Sequence, residues 1–254
     1  MDFKDIISLI KQKKEISGID DSLISELLGE YLKKNNILIE NLTKPQLKIV
    51  VKDIRSQLRN YAGRFRIGLK DRNKLLEQED YNALLRTHSS TKERIGFYPK
   101  LKELISKLNI NSILDLGCGL NPIALAEPSI TYYASDINLE ELKLIEQFFI
   151  KNKIKGKTFF CNLLKVDCTL PEADLCIIFK VFDILGKNDY SIAEKVLEKI
   201  KSRYLLASFS TKTLSGKPMN SPRRIWFEKL LANKNYTFEI IKSDNEIFYL
   251  AKLG

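Results

Sequence analysis

SILDLGCGLNP, residues 112–122, is a short apolar strand that breaks into a glycine-rich turn. Ser112 to Leu116 supply the strand, and Gly117 and Gly119 leave no Cβ between the backbone and a ligand lying on the turn. A dinucleotide fingerprint, G-x-G-x-x-G, would place a third glycine at position 122, where this chain has Pro122. That departure argues against a nicotinamide dinucleotide. The next strand candidate, within YYASDIN at 132–138, ends in Asp136, 19 positions after Gly117. There a carboxylate can accept hydrogen bonds from both ribose hydroxyls of a nucleoside.

Outward from this pair of features, apolar runs at Tyr132 to Ile137, Lys157 to Asn162, Ala173 to Val181 and Arg203 to Phe209 read as further strands. Helical stretches such as 139–152 and 189–201 separate them. Strand alternating with helix implies an α/β fold, a parallel sheet covered on both faces. The end differs. Thr237 to Lys242 and Ile247 to Lys252 are joined by four residues, a link short enough only for an antiparallel hairpin. A parallel sheet closed by such a hairpin resembles the Rossmann-like methyltransferase fold. With the glycine turn and Asp136, it points to S-adenosyl-L-methionine as cofactor. Cys161-Asn162-Leu163 ends the third strand, where the resemblance to that fold implies a grip on adenine by one polar contact and an apolar wall. Ile137 and Phe179, at the ends of the second and fourth strands, complete the expected pocket.

The 254 residues include four cysteines (Cys118, Cys161, Cys168, Cys176) and one histidine, His88. No C-x2-C pair occurs, so a metal site is not expected, and the thiols are expected reduced and buried on strands. No apolar run approaches the ~18 residues of a membrane span, and the N-terminus lacks a secretory apolar region, so a cytoplasmic protein is expected. The net charge is +10. Between Lys44 and Lys74, ten basic residues (Lys44, Lys48, Lys52, Arg55, Arg59, Arg64, Arg66, Lys70, Arg72, Lys74) face two acidic ones, a surplus of eight. A polyanionic partner would account for it.

Residues 1–87 read as helices, with apolar positions three and four apart at Ile6, Ile7, Ile10, then Leu23, Leu27, Leu28, Leu32, then Leu47, Val50, Val51, Ile54, Leu58, Tyr61. Thr43 and Pro45 suit the start of the third helix. On that helix Lys44, Lys48, Lys52, Arg55 and Arg59 share one face. Like charges in a row repel unless an anion lies alongside. The face is either solvated or a contact for a nucleic-acid backbone. The expected division is a basic helical domain at 1–87 and a methyltransferase domain at 88–254.

The target is narrowed by what is missing. The fourth strand ends in Ile178-Phe179-Lys180-Val181, not in the N-P-P-Y-like tetrapeptide of amino-group methyltransferases. No Pro-Cys pair supplies the nucleophile of a pyrimidine C5 enzyme. Ring nitrogens and hydroxyls remain as acceptors.

Three stretches together, HSSTKERIGFY (88–98), ILDLGCGLNPIAL (113–125) and SFSTKTLSGK with IWFE (208–217 and 225–228), resemble the 16S rRNA guanine-N7 methyltransferases associated with aminoglycoside resistance. The resemblance implies a helical N-terminal region that docks on the 30S subunit and a sheet domain that methylates guanosine 1405 in the decoding site. It further implies that Arg94 pairs with the methionine carboxylate of the cofactor, that Gly117 and Gly119 line its loop, that Asp136 holds the ribose, and that Asn162 and Leu163 flank adenine. Ser208, Thr211, Lys212 and Lys217 would approach the target nucleotide, and Lys48, Lys52, Arg55 and Arg59 the RNA backbone. This chain departs from the family where S-F-P is usual, with Ser208-Phe209-Ser210, and where Lys48 replaces a common histidine. A monomer is expected. The alternatives are a methyltransferase for another RNA site, such as an adenine N1 of 16S rRNA or tRNA, and an RNA-binding factor without catalysis. His88 is expected to cap or pack, because guanine N7 loses no proton on methylation, and Phe97 and Phe179 to pack in the core or offer a stacking face.

Overall fold

The structure, a computed structural model, describes residues 2–63, 65–67, 71–166, 168–185, 190–213 and 216–253. Arg64 and Lys70 of the basic run lie outside the described residues. Three helices open the chain: α1 (Phe3–Lys11), α2 (Asp21–Lys34) and α3 (Lys44–Leu58). Each begins at an acceptor side chain. Asp2 and Asp5 form a reciprocal cap on α1, Asp20 accepts from Ser22 N, and Thr43 exchanges hydrogen bonds with Gln46 at the start of α3. Their apolar stripes meet in one cluster that includes Ile6, Ile10, Leu23, Leu28, Val50, Ile54 and Leu58.

Four short helices follow, α4 (Arg72–Glu77), α5 (Tyr81–Leu85), α6 (Ser89–Arg94) and α7 (Tyr98–Ser106). Leu75, Leu76, Leu84 and Leu85 already pack into the core beneath the sheet. The last buried residue of the helical cluster in chain order is Leu58, and the first of the sheet core is Leu75.

The sheet is built from β1 (Ser112–Leu116), β2 (Thr131–Asp136), β3 (Gly156–Phe160), β4 (Ala173–Phe179), β5 (Ser202–Ser210), β6 (Thr237–Lys242) and β7 (Glu246–Lys252). Between them run α8 (Asn121–Leu125), α9 (Leu139–Lys151), α10 (Phe182–Leu185), α11 (Ser191–Lys199) and α12 (Ile225–Asn233). Strand order is β3-β2-β1-β4-β5-β7-β6, parallel except for β7, which runs antiparallel to both β5 and β6. Strand and hairpin expectations hold to within two residues at the ends.

Alternation sorts each central strand between two cores. Ile113, Leu175, Ile177 and Leu206 enter the core on one face, while Leu114, Leu116, Cys176, Ile178 and Leu205 enter that on the other. The cysteine expectation is corrected in part. Cys161 and Cys168 form a disulfide in the segment after β3, which brings the two residues next to each other across seven positions, whereas Cys118 and Cys176 are free and buried. Of the four, only Cys176 lies on a strand.

Candidate functional site

At the C-terminal ends of β1, β2 and β4 the chain turns around a pocket. β1 runs into Gly117 (φ +68°) and Gly119 (φ +49°), both in the left-handed region. A Cβ on Gly117 would lie 2.5 Å from Val181 Cγ2, and one on Gly119 would lie 2.8 Å from His88 Nε2. The turn is pinned to β2 by Cys118 N–H donating to Ser135 O at 2.8 Å and by Gly119 N–H donating to Asp136 Oδ2 at 3.0 Å. Asp136 Oδ1 accepts from Asn138 N at 2.9 Å, so the carboxylate is anchored in the pocket wall with lone pairs to spare. Burial pushes its pKa up to about 6 against these amide donors. Deeper in β1, burial pushes Asp115 up to about 7, although the Tyr132 hydroxyl donates to it at 2.7 Å.

Of the expected cofactor residues, Gly117, Gly119, Asp136, Ile137, Asn162, Leu163 and Phe179 all line this pocket. Asn162 Oδ1 accepts from Leu164 N at 3.0 Å, which fixes the tight turn after β3. Arg94 is the exception, 1% exposed and behind the wall. Its fork donates to Glu246 at 2.9 to 3.1 Å, to Asn121 Oδ1 at 2.7 Å and to Ser90 Oγ at 3.1 Å, with the guanidinium 4.5 Å from the Phe179 ring centroid. Burial works against the charge, but Glu246 beside it keeps the guanidinium firmly protonated. The resemblance gave Arg94 the methionine carboxylate, whereas here its donors are committed to protein. Ser90 and Asn121, which it braces, do line the pocket.

Sequence reasoning missed much of the remaining wall. Leu23, Tyr61, Ala62 and Phe65 reach in from the helical region, and His88, Ser90, Asn138 and Glu141 from the sheet side. His88 takes the N-cap position of α6 without a side-chain cap bond and stacks on Phe65 at 5.5 Å. Burial lowers its pKa to about 4, so the ring is neutral at pH 7. His88 Nδ1 and Glu141 Oε2 are buried polar atoms without a hydrogen-bond partner. Such atoms are costly unless a ligand meets them. A turn without Cβ atoms, a carboxylate at a strand end, apolar walls and two orphaned polar atoms fit an amphipathic nucleoside cofactor. Among the described residues no cluster suits a metal ion. Phe97 stacks on Phe248 at 5.1 Å, as expected of a packing residue.

The expected RNA contacts divide. Lys48 and Lys52 are exposed on α3. Arg55 is tied into the protein, its guanidinium donating to Leu9 O and Ile10 O at the end of α1, and Arg59 pairs with Glu15 at 2.8 Å. These two arginines hold α3 to the first helix and its following turn; the lysines leave the stripe facing solvent. Ser208 is also corrected. It is 0% exposed and donates to Glu246 Oε2 at 2.9 Å, inside the same network as Arg94. Thr211 and Lys212 are partly exposed and Lys217 exposed in the loop after β5. Ser210, where a proline is usual, uses its N–H: it donates to Asp183 Oδ2 at 2.7 Å, a bond proline cannot make.

A family model described as Ribosomal RNA methyltransferase (FmrO) matches residues 44–250. A 16S rRNA (guanine(1405)-N(7))-methyltransferase of Serratia marcescens is 31% identical over 183 residues, 70% of this chain and 72% of that protein. One of the same name from Proteus mirabilis is 27% identical over 192 residues, 70% of this chain and 63% of that protein. Among solved structures, the 16S rRNA methyltransferase RmtF in complex with S-adenosyl-L-homocysteine shares the fold with a TM-score of 0.82, at 21% identity over 99% of each chain.

Proposed function

The chain belongs to the ribosomal RNA methyltransferase (FmrO) family, and from that premise we propose that it methylates N7 of guanosine 1405 in 16S rRNA, using S-adenosyl-L-methionine. The observation that carries the reading is the convergence of Gly117, Gly119 and Asp136 on one pocket, with Asn162 and Leu163 on its wall. The substrate we propose is the 30S subunit, met by a monomeric cytoplasmic enzyme. Among the described residues no helix is long and apolar enough to cross a membrane.

When bound, the cofactor supplies a methyl group activated on a sulfonium. The chain's own task is placement. Gly117 and Gly119 admit the cofactor backbone-close, Asp136 accepts from ribose hydroxyls, and Ile137, Leu163 and Phe179 exclude water around it. Guanine N7 presents an in-plane lone pair and loses no proton, so no residue needs to act as a base. His88, neutral and buried, suits a wall rather than a proton relay. Rate then comes from holding N7 in line with the methyl group and from tolerating the positive charge that passes to the base. Lys48, Lys52, Thr211, Lys212 and Lys217 are the RNA contacts that this reading retains.

Labelled S-adenosylmethionine offered with 30S subunits, naked 16S rRNA and tRNA tests the proposal. Borohydride reduction followed by aniline scission then reads N7-methylguanine as a strand break. A break at guanosine 1405 in 30S subunits is expected. Label at an adenine, or in tRNA alone, would overturn the assignment. Expression in a susceptible bacterium is expected to raise aminoglycoside tolerance.

A further inference from the structure

One part of the third family-like stretch, IWFE at 225–228, has no role in the cofactor pocket. Trp226 is partly buried at the start of α12, and the ring of Tyr190 lies flat on it, with centroids 4.4 Å apart and planes 14° from parallel. Tyr190 is 54% exposed and the neighbouring Ile225 53%. Exposed apolar surface around the Tyr190–Trp226 stack, on Tyr190 itself and on Ile225 next to Trp226 in the chain, is a cost that a partner would remove.

The mount beneath them is rigid. Phe209 and Phe227 meet Trp226 edge-on at 5.8 and 5.5 Å, and Phe227, fully buried, packs on Phe182 and Tyr249. Arg224, just before α12, lies over Phe209 and donates to Asp183 Oδ1 and Ser210 O. The same mount reaches the pocket: α10 sends Phe182 into this aromatic cluster and Ile184 and Leu185 into the pocket wall. Charge agrees with the location. Residues 211–234 hold six cations; Arg223 pairs with Glu228, Arg224 with Asp183 and Lys234 with Glu194 and Glu198, so Lys212, Lys217 and Lys229 are the ones without a carboxylate partner among the described residues. Lys229, exposed and one helical turn beyond Ile225, has no carboxylate partner among the described residues.

We propose that Tyr190, backed by Trp226 and flanked by Ile225 and Lys229, is a stacking platform for an unpaired RNA base beside the methyl-transfer pocket. The proposal rests on the RNA substrate argued above. An aromatic face accepts any base, and the cation takes the adjoining phosphate, so the platform would hold a strand without reading its sequence.

Trp226 is the chain's only tryptophan, so its fluorescence reports on the platform. The probes are a single-stranded RNA of about eight nucleotides, the same strand in a duplex, and 30S subunits. Single strands are expected to quench Trp226 and duplex not to. Tyr190→Ala is expected to weaken single-strand affinity about tenfold and Tyr190→Phe to hold it within about twofold, with S-adenosylhomocysteine affinity unchanged in both as the check on folding. Wild-type single-strand affinity in Tyr190→Ala would overturn the platform, as would an equal loss for duplex. A loss on 30S subunits alone, with naked RNA unaffected, would assign the patch to a ribosomal protein instead. The RNA titrations need no methyl transfer, so failure of the wild type to modify any RNA would refute the proposed activity, while the platform stands or falls on the binding data alone.

Discussion

Replacing Arg94 by alanine removes the centre of a buried network that ties α6, α8 and β7 together. Arg94 and Glu246 are 1% and 0% exposed in their side chains, so solvent screens neither. Alanine would leave the Glu246 carboxylate with Lys180 Nζ at 3.1 Å and the Ser208 hydroxyl, and would orphan Asn121 Oδ1 on one side. Breaking a buried pair from one end costs about 3–5 kcal/mol, and the remaining Lys180 argues for the lower end, about 3 kcal/mol. Against a total stability of about 5–15 kcal/mol this is a large share, and at roughly 2–4 °C per kcal/mol it lowers the melting temperature by roughly 6–12 °C. Lysine should not rescue it, because a point ammonium cannot replace a fork that meets Glu246, Asn121 and Ser90 together. The assay is urea unfolding of the wild type, Arg94→Ala and Arg94→Lys, with S-adenosylhomocysteine calorimetry in the folded range. A weaker cofactor affinity is expected too, through slack in Ser90 and Asn121. An Arg94→Ala protein as stable as the wild type but unable to bind the cofactor would refute this reasoning and return Arg94 to the carboxylate-gripping role that the family resemblance implied.

Asp136→Ala should weaken S-adenosylhomocysteine binding by ~1–3 kcal/mol in calorimetry, since the ribose hydroxyls lose a charged acceptor. The same group predicts a pH dependence. With its pKa raised to about 6 by burial, Asp136 is protonated below that pH, so cofactor affinity should fall as pH drops through 6 and binding should release protons there; a flat profile between pH 5 and 8 would count against it. For stability the sign is opposite: a carboxyl raised above its unfolded value favours the fold at low pH and opposes it as pH climbs through about 6. Gly119→Ala should cost roughly 1–2 kcal/mol in left-handed backbone strain and, by pressing on His88, abolish cofactor binding; unimpaired binding would show the turn to be loose. Changing Lys48 and Lys52 together to Gln should flatten the salt dependence of 30S binding without loss of stability, whereas Arg55 and Arg59 to Gln should destabilise the helical region. Identical behaviour of the two pairs, in a salt series and in urea unfolding, would contradict the division seen on α3.

The sheet was legible because its signals are local. Gly117, Gly119 and Asp136 each declare a backbone or charge requirement that few other contexts impose, and the three-residue link before β7 permits only an antiparallel return. Side-chain commitments were not legible, because they depend on partners far along the chain. Arg55 and Arg59 sit in register with Lys48 and Lys52, and nothing in the spacing tells that α1 and the turn after it lie against two of the four. Arg94 and Ser208 meet Glu246 from 152 and 38 positions away, a coincidence no motif records. Leu23, Tyr61 and Phe65 carry ordinary helical or loop signals, and only the docking of the helices onto the sheet turns them into pocket wall.

That docking is made by backbone as well as side chains. Leu139 N–H donates to Gly18 O at 2.7 Å, Asp20 N–H to Ile137 O at 3.2 Å, and Glu140 gathers Ser17 and Arg66. A ligand held between two bodies that meet in this way acts as cement for their joint. By thermodynamic reciprocity, any RNA that grips the helices in their seated position must tighten the cofactor's hold by the same factor by which the cofactor tightens the grip on RNA. An enzyme coupled in this way would hold its RNA more tightly when loaded with the methyl donor than when empty.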